Sequence, residues 1–356
     1  MPGGAHRAPH HKYGVTVETL SFYPYRFKSI LKEKIWGGRD LETFLGKTLP
    51  PNKLIGESWE LSDRDNDMSV VDNGTHAGIT FRSLLRADRP GIMGPLFARL
   101  FPDHFPLLVK YIDAHDIISL QVHPNDTYAM EHENGQWGKM EAWYIIHAAP
   151  HAYIIRGIMP GRGRDELLRM LEGSTSDGVL NRIPVAAEDV VFIPPGCLHA
   201  TGPGVLLCEI QQNSDLTYRV TDWGRIEPTG EARELHLDKA LDVIDFDLLA
   251  REETGIGAGV PAAGASTKPL IQCPKFEVDR VRLGAGEISP ADVTERFNIV
   301  CVVDGSGFIV SPRAGTGPVP VTKGETWLIP SALRSYELTT QSRCTALRAF
   351  PPLPGE

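Results

Sequence analysis

Short runs that are apolar throughout, or apolar at every second position, dominate this chain, and Gly- or Pro-bearing turns separate them. GESWELS at 56–62 alternates, with Trp59 on one face and Ser58 and Glu60 on the other. FPLLVKYIDAHD at 105–116 is apolar almost throughout, as a strand buried on both faces would be, and carries one cation, Lys110. ISLQVHP, EAWYIIHAA, HAYIIRGIMPG and VVFIPPGCLH predict further strands, and Pro124 ends the first of these because it cannot donate to a ladder. Helical spacing is confined to 39–46, 81–101, 163–183 and 235–249. In the third, Leu167, Leu168, Met170 and Leu171 gather on one side; the fourth is expected to pack outside a barrel. Residues 124–139 read as a polar loop.

The β pattern returns after REETGIGAGVPAAGASTK at 251–268, a small-residue stretch that predicts a linker or exposed loop. A weak internal repeat spans the gap. VAAEDVVFIPPGCLHA at 185–200 lines up with VTKGETWLIPSALRSY at 321–336, setting His199 opposite Ser335, and EAWYII lines up with ERFNIV, setting Glu141 opposite Glu295. The pattern predicts a mainly β protein: tandem jelly-roll barrels of the cupin class with a few helices outside. The expected divisions are a disordered tail over 1–20, a first barrel with helical insertions over 21–250, the linker, and a second barrel over 269–356.

Composition narrows the picture little. A formal charge of −9 over 356 residues argues against nucleic acid or an anionic membrane as partner, so an anionic substrate would need a local cluster of Lys and Arg. Five scattered cysteines without a CxxC fit reduced thiols in the cytoplasm. No apolar run approaches a membrane span, and a monomer or homodimer is expected.

Candidate chemistry converges on three strands. Gln121 and His123 are two apart and so share a face; Glu141 opens the second strand and His199 closes the third. One amide oxygen, two imidazoles and one carboxylate could surround a divalent ion and leave a position open for substrate. Each residue alone carries a plainer reading, since a histidine at a strand end is more often core or surface than ligand. Lys110 is either an edge residue reaching for water or a site lysine. Glu57 and Glu60, beside an aromatic, either line a pocket or, more ordinarily, are solvated strand residues.

In combination the motifs are specific. FKSILKEKIWGG, GESWELS, LLVKYIDA with ISLQVHPND, GKMEAWYII, FIPPGCLHA and NSDLTYRVTDWGR run in one order over about residues 25–225, and the chain resembles the type I mannose-6-phosphate isomerases in their shorter bacterial form. The resemblance implies interconversion of mannose 6-phosphate and fructose 6-phosphate with one divalent ion, zinc first among the candidates, held by Gln121, His123, Glu141 and His199. It implies catalytic roles for Arg219, Lys139 and Asp215, and a place for Ser119 near the phosphate. Lys110 and Arg156 are added as substrate-binding candidates. The chain departs from the family pattern at Met140, Arg156 and Met159. Two other readings compete: a sugar-binding cupin without catalysis, and an isomerase of an unphosphorylated sugar.

Overall fold

The computed structural model describes residues 20–173, 178–227, 229–251, 256–257 and 266–354. The expected tail over 1–20, except Leu20, and most of the 251–268 stretch lie outside those residues. Two barrels hold most of the strands; Asp63–Arg64 and Asp67–Met68 pair separately. In the first, a seven-stranded sheet runs in the order Ile256–Gly257, Val190–Ile193, Glu141–Ala148, Val205–Gln212, Leu107–Ala114, Ile55–Leu61, Ile30–Gly38. Facing it, a five-stranded sheet runs Leu180–Pro184, Tyr153–Ile158, His199–Thr201, Leu120–Val122, Tyr218–Thr221.

The apolar run around Lys110 lies near the middle of the larger sheet and is buried at every position from Leu107 to Ala114. Alternation splits its side chains between two cores. Leu107, Val109 and Tyr111 join a core that also holds Phe276, Ile299, Cys301 and Leu347 of the second barrel. Ile112 and Ala114 turn inwards with Trp143, Ile145, Val191 and Leu207. The smaller sheet is organised in the same way: Leu120, Val122, Ala200 and Val220 pack outwards on Leu167, Ala240 and Leu241. The helices Arg164–Leu171 and Leu237–Val243 therefore cover the outer face, as the spacing predicts.

The second barrel centres on the long strand Asn298–Val310, which pairs with Thr326–Ile329 and Cys344–Phe350 and, further along, with Val319–Thr322 and Ser335–Thr339. Near the start of the described chain, Tyr25 and Arg26 pair with Leu328 and Trp327 of this barrel. The helix Phe81–Met93, capped by Thr80 and broken at Asp88 ahead of Pro90, places Ile92 and Met93 in the same core as Leu333. The two barrels thus share one apolar core.

Three local expectations change. The 124–139 loop contains a helix, Asp126–His132, capped by Asn125 through a hydrogen bond from the Tyr128 N–H. The 163–183 helix ends at Leu171, and Leu180–Pro184 is an edge strand instead. Glu295 stands exposed, ahead of the strand that opens at Asn298, so it does not occupy the place of Glu141.

Candidate active site

Strand register assembles the site in two facing rows. On the smaller sheet Arg219 lies opposite Gln121, Gln121 opposite His199, and His199 opposite Arg156. On the larger sheet Trp59 lies opposite Lys110, Lys110 opposite Glu209, and Glu209 opposite Trp143. Directly opposed residues share a face, so each register yields a continuous row of polar groups inside the barrel.

His123, Glu141 and His199 are buried and offer ligand atoms that all lie within 4.8 Å of one another. This is the one such group of His, Cys, Asp and Glu among the described residues. Local backbone chemistry prepares it. His123 Nδ1 is 2.7 Å from the Leu216 carbonyl and His199 Nδ1 is 2.8 Å from the Cys197 carbonyl. A carbonyl only accepts, so each Nδ1 carries the proton and each Nε2 keeps its lone pair for the centre. Desolvation drives the His123 pKa well below its ordinary value and that of His199 to about 4, so both rings are neutral near pH 7. The Pro194–Cys197 turn ties the two ligand backbones together: Gly196, at φ 82°, donates its N–H to the His123 carbonyl at 2.9 Å.

Glu141 bears most directly on whether a cation fits among these donors. Both its carboxylate oxygens are buried and stand in close polar contacts without a well-aligned hydrogen bond. Lys139 Nζ stands 2.7 Å from Glu141 Oε2 and 3.2 Å from His123 Nε2, partly neutralising the charge. The Gln121 amide lies 3.3 Å from His199 Nε2, and half a turn of it would present its oxygen to the same point. The donor set of two imidazoles, a carboxylate and an amide therefore fits a divalent ion.

A cavity of about 310 Å³ opens beside the cluster, lined by Gln121, Lys139, Ser119, Lys110, Asp215 and Arg219 of the expected residues. Arg156 is not among the lining residues. It is buried behind His199 and donates its Nε–H to the Phe192 carbonyl at 2.8 Å. The lining also includes residues to which the sequence pointed weakly or not at all: Glu209, Glu57, Trp59, Lys32, Lys34 and Arg233. Glu209 is a single acid in the apolar run VLLCEIQQ, the same signal that marked Lys110, and the two are cross-strand partners. Glu60 is buried outside the cavity lining against Lys47.

Charges in the cavity are interlocked. Burial pulls Lys110 down, but Glu209, Asp215 and Glu57 outweigh it and hold its ammonium above the ordinary lysine value. It sits 3.5 Å from Glu209, 3.6 Å from Asp215 and over the Trp59 ring. Burial raises Glu209, and the neighbouring Glu141 raises it further. Glu57 falls to about 2 despite desolvation, because Lys34 and Lys110 favour its charged form. Arg219 donates to the Glu234 carbonyl at 2.7 Å, while its buried Nε–H finds no partner among the described residues.

The chain is similar to known proteins along most of its length. The family model for the type I phosphomannose isomerase catalytic domain matches residues 25–153. The chain is 37% identical over 321 residues to the mannose-6-phosphate isomerase ManA of Bacillus subtilis, spanning 90% of this chain and 97% of that protein. It is 34% identical over 314 residues to the mannose-6-phosphate isomerase of Streptococcus mutans, spanning 88% and 94%. The crystal structure of the mannose 6-phosphate isomerase from Bacillus subtilis superposes with a TM-score of 0.79 at 32% identity, over 92% of this chain and 99% of that one. A phosphomannose isomerase from Salmonella typhimurium shares the fold, with a TM-score of 0.71 at 14% identity over 93% and 100%. With a cupin-like fold and a full-length relative at this identity, the chain belongs to the type I phosphomannose isomerase family.

Proposed function

We propose that this protein interconverts mannose 6-phosphate and fructose 6-phosphate through a cis-enediol, with one divalent ion, zinc first, held by Gln121, His123, Glu141 and His199. The observation that carries the reading is the buried His123–Glu141–His199 cluster opening onto a cavity lined by lysines and arginines. Its relatives named as mannose-6-phosphate isomerases support the choice of sugar.

Isomerisation moves a proton between C1 and C2 and builds negative charge on O1 and O2. When bound, the ion would supply Lewis-acid polarisation of those oxygens. Gln121 is neutral, so the four ligands would leave the centre with net positive charge; thiolates would quench it. Arg219 is permanently charged and serves to stabilise charge on the enediolate rather than to take a proton. Lys139 and Asp215 are the proton carriers in this reading, from opposite sides of the cavity's polarity: Lys139 is buried among the ligands and Asp215 is half exposed at the mouth. Lys110 orients the sugar, while Glu209 and Glu57 keep that lysine charged. Ser119, buried in the cavity wall, is assigned to the phosphate end. Arg156, outside the lining, is left out of the substrate set. The first barrel carries the whole site in this reading, and the second acts as its packing partner.

The test is fructose 6-phosphate formation from mannose 6-phosphate by purified protein, before and after chelation and with zinc restored. Loss on chelation and recovery on restoration are expected. Binding without turnover would favour the sugar-binding alternative, and equal rates on mannose would remove the phosphate from the reading.

A further inference from the structure

The first barrel does not hold its ligand-bearing segments unaided. His123 directly follows the strand Leu120–Val122 and Glu141 opens the strand Glu141–Ala148; the segment 124–140 joins them, and one carboxylate spans both ends of that segment. Asp126 Oδ1 accepts from the Gly138 N–H at 2.8 Å and from Gln212 Nε2 at 3.0 Å. Gln212 in turn clamps Met140, the residue between Lys139 and Glu141. Its Oε1 accepts the Met140 N–H at 3.0 Å and its own N–H donates to the Met140 carbonyl at 3.0 Å. The Lys139 N–H closes the pair of segments by donating to the Pro124 carbonyl at 3.0 Å.

The other oxygen of Asp126 is taken by the second barrel. Lys275 Nζ reaches Asp126 Oδ2 at 2.5 Å. Lys275 sits at the tip of a tight hairpin between Ser266–Gln272 and Glu277–Leu283, closed by a bond from the Cys273 N–H to the Phe276 carbonyl at 3.1 Å. The bond closes the turn that presents the lysine.

We propose that Lys275 of the second barrel is a positioning residue for the metal centre, setting the 124–140 segment through Asp126 so that His123 and Glu141 converge. The proposal rests on the metal-binding reading above. It gives the second barrel a role in catalysis that its lack of ligands would not suggest. A partly exposed ion pair contributes little to stability, so its effect belongs to the geometry of the ligands. Contacts that orient ligands in this way commonly change metal affinity by about 10–100-fold.

The experiment uses the full chain stripped of metal, with zinc affinity measured by chelator competition for the unsubstituted protein, Lys275→Met and Lys275→Arg. Thermal midpoints are measured on the same samples, and kcat and KM after reloading. Lys275→Met is expected to bind zinc about 10-fold more weakly and to lose kcat at unchanged KM, with its melting temperature kept. Lys275→Arg, which retains the charge, is expected to recover most of both. Asp126→Asn, which keeps an oxygen for the Gly138 N–H but loses the ion pair, should behave as Lys275→Met does. Unchanged zinc affinity and kcat in Lys275→Met would overturn the inference, as would a loss that merely follows a lowered melting temperature. An unsubstituted protein that binds no zinc would overturn the metal reading itself, and this inference with it.

Discussion

Arg219 separates catalysis from binding most sharply among single residues. Its strand places it opposite Gln121, in the row that also carries His199. A group that acts on the developing enediolate lowers kcat when removed and leaves KM nearly unchanged. Arg219→Ala is therefore expected to lose roughly 10³-fold in kcat while still binding fructose 6-phosphate, and lysine there to restore only part. A rise in KM at constant kcat would move Arg219 to the phosphate end. Glu57 supports a pH prediction. Its folded-state pKa of about 2 lies below the ordinary 4.5, so the stability it contributes is present above 4.5 and is lost as pH falls towards 2. Melting temperatures followed through that window should drop more steeply for the unsubstituted protein than for Glu57→Gln. The meeting of Gln121, His123, Glu141 and His199 was legible in the sequence because two-residue spacing and strand ends make geometric statements, which the family resemblance bound into one set. Glu209 was not, because an acid inside an apolar run is ambiguous until its cross-strand partner is known, and that partner, Lys110, lies 99 positions away (209 − 110). Arg156 shows the converse. A cation on an inward-facing row need not reach the cavity, and this one spends its Nε–H on the Phe192 carbonyl.

At the scale of elements, strands and their faces followed from the apolar pattern, whereas the segment between the Gln-x-His strand and Glu141 did not. Its helix, Asp126–His132, is short and polar and owes its start to the Asn125 cap. No hydrophobic periodicity announces such an element. Of the two glycines in this segment, Gly138 has the less room. A Cβ there would stand 2.4 Å from the Asn125 carbonyl carbon and 2.6 Å from the Asp126 N, both backbone atoms. Gly138→Ala must push the two ligand-bearing segments apart, so weaker zinc binding and lower kcat are expected in a protein that still folds. Wild-type zinc affinity in that variant would show that the close approach is not what sets the ligands. The 163–183 stretch was over-read as helix because Leu180 and Ile183 continue an apolar pattern that an edge strand shares with a helix face.

At the scale of the molecule, tandem barrels were legible from the repeat, but their intimacy was not. The shared core forms because alternate residues of the Lys110 strand face outwards into the second barrel, and Tyr25 and Arg26 add to that barrel's sheet. Among the described residues no second cluster of metal-ligating side chains exists, so the account predicts one catalytic ion per chain. A single buried centre in the first barrel is expected to carry the activity. The direct measurement is titration of zinc into stripped protein while fructose 6-phosphate formation is followed, for the unsubstituted chain, His123→Ala and His199→Ala. The account predicts activity that rises in proportion to zinc and levels off at one ion per chain, and neither tight binding nor turnover in the two variants. Full activity before zinc is added, or full occupancy and turnover in either variant, would contradict it.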